Sequence, residues 1–510
     1  MDIAQNAYLT EKLTRQPRKF PQQSKSTPNR HQSSTMKNFL SARPQFLRLL
    51  AGAAMATTGL SLALPACADA NLEPLTNILP VPGSAGLGVV THFERSPYRE
   101  AGNRYDVLPL YLYEGQRFFL HANRGGVKLL EDEADDGQRV DLFVEQRLEG
   151  FPADRLPASL AGMATRDSGI DLGLSWRHRQ PWGTVQAEFL HDIGGFSKGS
   201  EFRLGYTYDW RSGPWSLRPS LSVALRDARL NNYYYGVQGS EATADRVAYA
   251  PGAGINTSLG LYGSYDLSQR WRLLAGVSAT VLDRKIKDSP IVQKRVLPGV
   301  YVGAAYDFGG HKREWAQEDS PTWFKLLYGK ATDDGCHLLK IATGQCLSTA
   351  KVNPTSITAI QIGKPFLQNV NGWPLDFVGY AGLASHNEHG LQANGVQLDL
   401  FMKAFYSGFP WSDRVKTRLG MGVGVSLAQR APYIEASSQA LEGKPTSRML
   451  NYLDPTLDVS LGDLLGSRAL KDTFIGMGVS HRSGIFGSSR LLGNVSGGSN
   501  YIYTYVESAL

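Results

Sequence analysis

Apolar and polar side chains alternate along most of this chain. Within 201–210, Phe202, Leu204, Tyr206, Tyr208 and Trp210 fall on one face, while Glu201, Arg203, Thr207 and Asp209 fall on the other. Within 215–226, Trp215, Leu217, Leu221, Val223 and Leu225 oppose Ser216, Arg218, Ser220, Ser222 and Arg226. Val140, Leu142 and Val144 oppose Arg139, Asp141, Glu145 and Arg147 within 138–147, and Val396, Leu398, Leu400, Met402 and Tyr406 oppose Gln397, Asp399 and Lys403 within 394–406. A period of two sends successive side chains to opposite faces of a strand. Runs of about ten such residues are long enough to cross a bilayer as tilted strands, one face to lipid and one to the lumen.

A soluble β-sandwich or barrel has the same period with its charges outside. Three features favour the membrane: a leader that exports the chain, long segments that continue almost to residue 510, and aromatics at strand ends (Tyr206, Tyr208, Trp210, Trp215), where interfacial girdles sit. The fold class expected is therefore all-β, an outer-membrane antiparallel β-barrel.

The alternation divides in two. Residues 86–308 predict ten to twelve strands, the last of which, LPGVYVGAAYDF, stops at the aromatic Phe308. Polar residues at 309–322 read as a linker. Residues 323–510 predict about eight more strands, near 323–330, 336–342, 355–364, 375–386, 394–407, 415–429, 452–464 and 473–483, with 499–508 last. Two barrels in series follow, the second small enough for side chains to fill its lumen. One barrel of eighteen to twenty strands is the alternative; Phe308 and the linker favour two.

Composition agrees with strands. The chain has 54 Gly, 23 Tyr and 10% aromatics, and after residue 70 no run approaches the ~20 apolar residues of a spanning helix. The net charge of +7 is concentrated at the start: residues 1–70 hold nine Lys/Arg against Asp2, Glu11 and Asp69, and the remainder holds 44 basic and 43 acidic residues. The basic balance thus reports a leader and gives no argument for nucleic-acid binding. Residues 36–70 read as a signal peptide, with Lys37, Arg43 and Arg48 before an apolar stretch from Leu49 to Leu64 and a cleavage site after Ala70. A second reading takes Leu64-Pro65-Ala66-Cys67 as a lipoprotein box. Residues 1–35 read as an extension before a start at Met36, and 71–84 as a short segment before the first barrel. Cys336 and Cys346 enclose a short loop and are a disulfide candidate in an oxidising compartment.

Residues 85–308 resemble the MltA-interacting protein family, also called MipA/OmpV. The resemblance rests on GLGVVTHFERSPY with Ser96-Pro97-Tyr98, on YDVLPLYLYEGQRFFL, on Tyr234-Tyr235-Gly236-Val237, and on Asp288-Ser289-Pro290-Ile291 before the closing strand. It implies an outer-membrane barrel acting as an envelope scaffold between a peptidoglycan hydrolase and a synthase, or as a permeability element, with no catalytic residues and no cofactor. The residues of this part agree: they show no Cys/His metal spacing, nucleophile elbow or phosphate loop. His191 reads as a structural residue near the interface.

Candidate chemistry lies in the second part. In TFIGMGVSHRSGIFG, Ile475, Met477 and Val479 share a face that continues to His481 and Ser483. Polar groups facing lipid are costly unless satisfied or used. The next strand places Asn500 with Ile502, Thr504 and Val506, and the hairpin brings Asn500 towards His481. A Ser, a His and a polar orienting group are the parts of a nucleophilic hydrolase. The arrangement resembles the PagL-type lipid A deacylases, eight-stranded barrels with a His-x-Ser pair on a late strand and an acidic residue early on the next. It departs from them in having Asn500 where the acid is expected, and Glu435 is the alternative orienter. The resemblance implies outer-membrane lipid, lipopolysaccharide above all, as substrate. The competing reading makes His481, Arg482 and Ser483 polar residues at the mouth of a loop. His386 and His389, three apart with no third ligand, read as solvated loop residues and not as a metal site.

Overall fold

A computed structural model describes residues 84–510 apart from 132–136, 152–155, 310–319, 485–494 and the single positions 334, 337, 353, 442, 444, 445 and 496. The expected leader and most of the expected linker therefore lie outside the described residues.

The first barrel is built from β1 (Ser84–Arg95), β2 (Asn103–Glu114), β3 (Phe118–His121), β4 (Arg124–Glu131), β5 (Gln138–Gln146), β6 (Ile170–Gln180), β7 (Gly183–Asp192), β8 (Ser200–Thr207), β9 (Trp210–Ser212), β10 (Trp215–Arg226), β11 (Gly254–Asp266), β12 (Trp271–Val281) and β13 (Val296–Gly309). Each pairs antiparallel with its neighbours, and β1–β13 and β10–β11 pairing closes the ring. The short β9 continues β8 along β10, so twelve strand positions go round.

The second barrel is β14 (Trp323–Ala331), β15 (Ser356–Leu367), β16 (Leu375–Asn387), β17 (Gly395–Tyr406), β18 (Thr417–Ala428), β19 (Met449–Ser460), β20 (Thr473–Ser483) and β21 (Gly498–Ala509), closed by β14–β21. The two-barrel expectation and both strand counts hold. One expected strand does not: residues 338–342 are a short helix inside the Cys336–Cys346 loop. Nine residues between two disulfide-linked cysteines leave no length for a crossing.

Closure satisfies every strand edge, which a bilayer demands because it offers no water to a free N–H or C=O. In both barrels the apolar face points out. Val89, Leu172, Leu204 and Leu259 are exposed on the first, as are Leu326, Leu383, Leu400 and Met477 on the second. Strand ends and long loops alternate so that both ends of each barrel and its shorter turns share one side, the periplasmic arrangement of such barrels. The strand ends joined through 96–102, 147–169 and 227–253 in the first barrel and through 332–355, 429–448 and 484–497 in the second lie at the opposite, outer end. The barrels lie against each other: Phe308 packs on Phe377 at 4.8 Å between ring centres and Tyr113 on Phe366 at 4.7 Å. Further along β2 the Tyr111 hydroxyl donates to the Asn451 carboxamide oxygen.

Candidate functional site

The first barrel carries charge inward. Arg124 pairs with Glu145 and Glu188, Arg203 bridges Glu145 and Glu201, Arg147 reaches Asp171 at 2.6 Å and Glu201 at 2.8 Å, and Arg226 holds Glu149 at 2.6 Å. All of these groups but the partly exposed Arg203 are buried, so the pairing offsets a desolvation cost that each alone would carry in full.

Above this ladder the outer loops form a roof. The helix Ala228–Tyr235 starts where the Asp227 side chain accepts from the Leu230 N–H at 2.8 Å, a cap that satisfies one of the free N–H groups of a first turn. Its apolar face packs with Tyr98, Phe151, Leu160, Ile286 and Ile291. Three stretches that carry the family resemblance meet here. The Tyr98 hydroxyl donates to the Tyr234 carbonyl at 3.1 Å and the Ser289 hydroxyl to the Tyr235 carbonyl at 2.6 Å. The Arg99 N–H donates to the Ile291 carbonyl at 2.9 Å. Burial pushes the Tyr234 and Tyr235 phenols well up, so both stay neutral. Arg166 ties the roof to Glu241 at 2.7 Å. Burial raises the Glu241 carboxyl, but Arg166 and the N–H groups of Gln238 and Ala164 outweigh it and hold the group below its ordinary value. Sequence reasoning noticed the motifs but not that they interlock, since Tyr98 and Tyr234 stand 136 positions apart in the chain and Arg99 and Ile291 further still. His191 is exposed and its Nδ1 faces the Ser200 hydroxyl at 2.9 Å.

The second barrel is sealed by its own side chains. Asp454 takes Lys403 at 2.6 Å and Lys325 at 3.5 Å, and Arg418 binds Asp458 at 2.8 Å and Glu507 at 2.5 Å. Tyr380, Tyr503 and Tyr505 donate their hydroxyls to Glu507, Asp454 and Asp458.

At its outer rim, β20 splits into two faces. Arg482 points inward, donating to Glu435 at 3.1 Å and to the Ser426 hydroxyl at 2.8 Å. Glu435, on the helix Tyr433–Leu441, accepts from Arg482 and Ser499 and thus belongs to the lumen side. His481 and Ser483 share the other face, two residues apart, and His481 pairs in register with Asn500, as Ser483 does with Gly498. The His481 Nδ1 lies 2.6 Å from the Asn500 Oδ1. The Asn500 Nδ2 donates to the Cys336 carbonyl at 3.2 Å, and Cys336 is disulfide-linked to Cys346. His386 corrects the sequence reading. It lies on β16, buried, with Nε2 2.9 Å from the Gln397 Oε1 and Nδ1 3.3 Å from the Tyr501 hydroxyl. The strand extends to Asn387, so His386 falls at a lumen position and only His389 is in the loop. Among the described residues no group of three or more His, Cys, Asp or Glu is arranged to hold a metal ion.

Closed antiparallel barrels with apolar exteriors and charged, plugged interiors define a transmembrane β-barrel protein. The family described as MltA-interacting protein MipA matches residues 87–308. The outer membrane protein Omp26La of Vibrio anguillarum is 35% identical over 211 residues, covering 41% of this chain and 81% of that protein. The putative outer membrane protein YiaT of Escherichia coli O157:H7 is 27% identical over 223 residues, 44% of this chain and 90% of its own. The MltA-interacting protein of Escherichia coli K12 is 26% identical over 226 residues, 44% of this chain and 88% of its own. The chain belongs to the MipA family, through its first barrel, and it is an outer-membrane protein.

Proposed function

We propose that the first barrel is an envelope scaffold and not a pore. The observation that carries this reading is the roof, where Tyr98, Tyr234, Tyr235 and Ser289 lock three loops over a lumen already crossed by ion pairs. A permeability element needs a continuous water path, and a bridged, roofed lumen opposes one. One relative is named for interaction with MltA, and the partner proposed here is likewise a peptidoglycan hydrolase, with a synthase joined through the same scaffold. It would dock on the periplasmic turns. The full chain reconstituted in planar bilayers should show no steady conductance, and co-purification from cross-linked cells should recover peptidoglycan enzymes. Steady porin-like currents without such partners would overturn the reading.

A second reading is favoured by one distance, the 2.6 Å between His481 Nδ1 and Asn500 Oδ1. It makes the second barrel an acyl-ester hydrolase acting on lipopolysaccharide in the outer leaflet. Ser483 Oγ attacks the ester carbon as its proton passes to His481 Nε2; the alcohol leaves with that proton, and water then releases the acyl chain from Ser483. Asn500 orients the imidazole. Mass spectrometry of lipid A should show Ser483-dependent loss of an acyl chain. Identical profiles from wild type, Ser483→Ala and empty-vector cells would sink this reading and leave the scaffold untouched.

A further inference from the structure

A carboxamide is ambiguous in a way that a carboxylate is not. It has one acceptor oxygen and one donor nitrogen, and turning it over exchanges them. If Asn500 presents its oxygen to His481, the imidazole carries its proton on Nδ1 and has its Nε2 lone pair as the acceptor for a hydroxyl. If it presents its nitrogen, the lone pair moves to Nδ1 and Nε2 cannot accept. Whatever fixes the carboxamide therefore decides whether His481 can act as a base.

The structure holds a group that does this. The Cys336 carbonyl, an acceptor only, lies 3.2 Å from the Asn500 side-chain nitrogen. It can be satisfied only by the NH2 end, which leaves Oδ1 for His481. The backbone is anchored as well: the Thr332 N–H donates to the Asn500 carbonyl at 3.0 Å, just after β14, so the loop begins in register with β21. Between Cys336 and Cys346 the chain turns through the short helix 338–342, and the disulfide closes it. Cys336 is buried. Opening the ring frees the nine residues between the cysteines, and loop entropy then works against holding one carbonyl in place.

We propose that the disulfide-closed loop Cys336–Cys346 is a positioning element for the His481–Ser483 pair, acting through the Cys336 carbonyl on the Asn500 carboxamide. This rests on the hydrolase reading above. It also accounts for an Asn at this place. In the outer membrane the disulfide can form, and with a fixed neighbour a neutral carboxamide sets the tautomer without a charge at the lipid surface.

The test uses the full chain in outer-membrane vesicles and a fluorophosphonate probe that labels activated serines. Labelling of wild type but not of Ser483→Ala shows the reactive serine itself; no Ser483-dependent labelling removes the hydrolase reading and this inference with it. Given labelling, the Cys336→Ser/Cys346→Ser double variant should label more slowly, by about tenfold, the scale of one well-placed hydrogen bond. The deciding arm repeats the comparison in the Asn500→Asp background. A carboxylate accepts from His481 with either oxygen and gains nothing from the Cys336 carbonyl, so opening the ring there should leave labelling unchanged or faster. Equal slowing in both backgrounds, or no slowing in the Asn500 background, would overturn the positioning role. The first outcome would make the disulfide a general fold stabiliser, and the second would make it irrelevant to the site.

Discussion

The two barrels solve the same problem at different widths. Both must fill or close a lumen walled by backbone that lipid cannot satisfy. The twelve-stranded ring is too wide for side chains from opposite walls to meet everywhere. Its charges cluster on the β4–β10 side, where Arg124 of β4 reaches Glu188 of β7, Arg203 of β8 reaches Glu145 of β5 and Arg226 of β10 reaches Glu149 in the loop after β5, while Tyr262, Leu274, Tyr301 and Ala305 line the β11–β13 side. Its outer end is then closed by loops. The eight-stranded ring is narrow enough for Lys325 and Lys403 to share Asp454, and for Arg418 to span Asp458 and Glu507. Arg124 and Arg203 of the first barrel each reach more than one carboxylate, whereas Lys325 and Lys403 of the second share Asp454.

That difference predicts unequal costs. Asp454→Ala leaves Lys325 and Lys403 buried around one missing carboxylate. Breaking a buried pair in this way costs about 3–5 kcal/mol, seen as a lower urea midpoint for unfolding of the second barrel in detergent. Glu188→Ala should cost less, about 1.5–3 kcal/mol for lost charged hydrogen bonds, because Arg124 and Arg203 keep Glu145. Equal losses at the two positions would break the comparison.

The roof gives a smaller effect. Ser289→Ala removes the donor to the Tyr235 carbonyl and leaves a buried acceptor, at about 1–3 kcal/mol. Because the roof is local, the loss should appear as faster proteolysis of the outer loops, with the barrel's own unfolding unchanged. A shift of the whole barrel's midpoint would show that roof and wall unfold together.

How much of this the sequence carried follows from the range of each interaction. The strands were legible because a period of two is local: the faces read for 215–226 and 394–406 are the faces found, with Leu221 and Leu225 exposed and Lys403 and Asp399 buried. The hairpin register of His481 and Asn500 was legible because their two strands are neighbours in sequence. The helix 338–342 was misread because a five-residue apolar run has no period to show. The roof was not legible as an object, since Tyr98 meets Tyr234 and Tyr235 only after ten strands have closed. Nor was the role of the Cys336 carbonyl, because a backbone acceptor has no signature in a sequence.

The smallest expected effect concerns acid. Glu241 accepts from the Arg166 guanidinium at 2.7 Å and from the N–H groups of Gln238 and Ala164 at 2.9 and 3.0 Å. These outweigh burial and depress its carboxyl below the ordinary 4.5. A group that is more acidic in the folded roof than in the opened one stabilises the roof fully above its unfolded value. That contribution is lost as pH falls from 4.5 through the depressed value. Between pH 8 and 5, then, Glu241 contributes no change. Hydrogen exchange at the Gln238 and Ala164 amides, corrected for intrinsic rates, should stay constant in that range and rise only below about pH 4.5. In Glu241→Gln the exchange should be faster throughout, and its acid rise should be absent. The lumen ladder has many coupled carboxylates, so an acid rise of the same size in both proteins would place the sensitive group there and not in the roof.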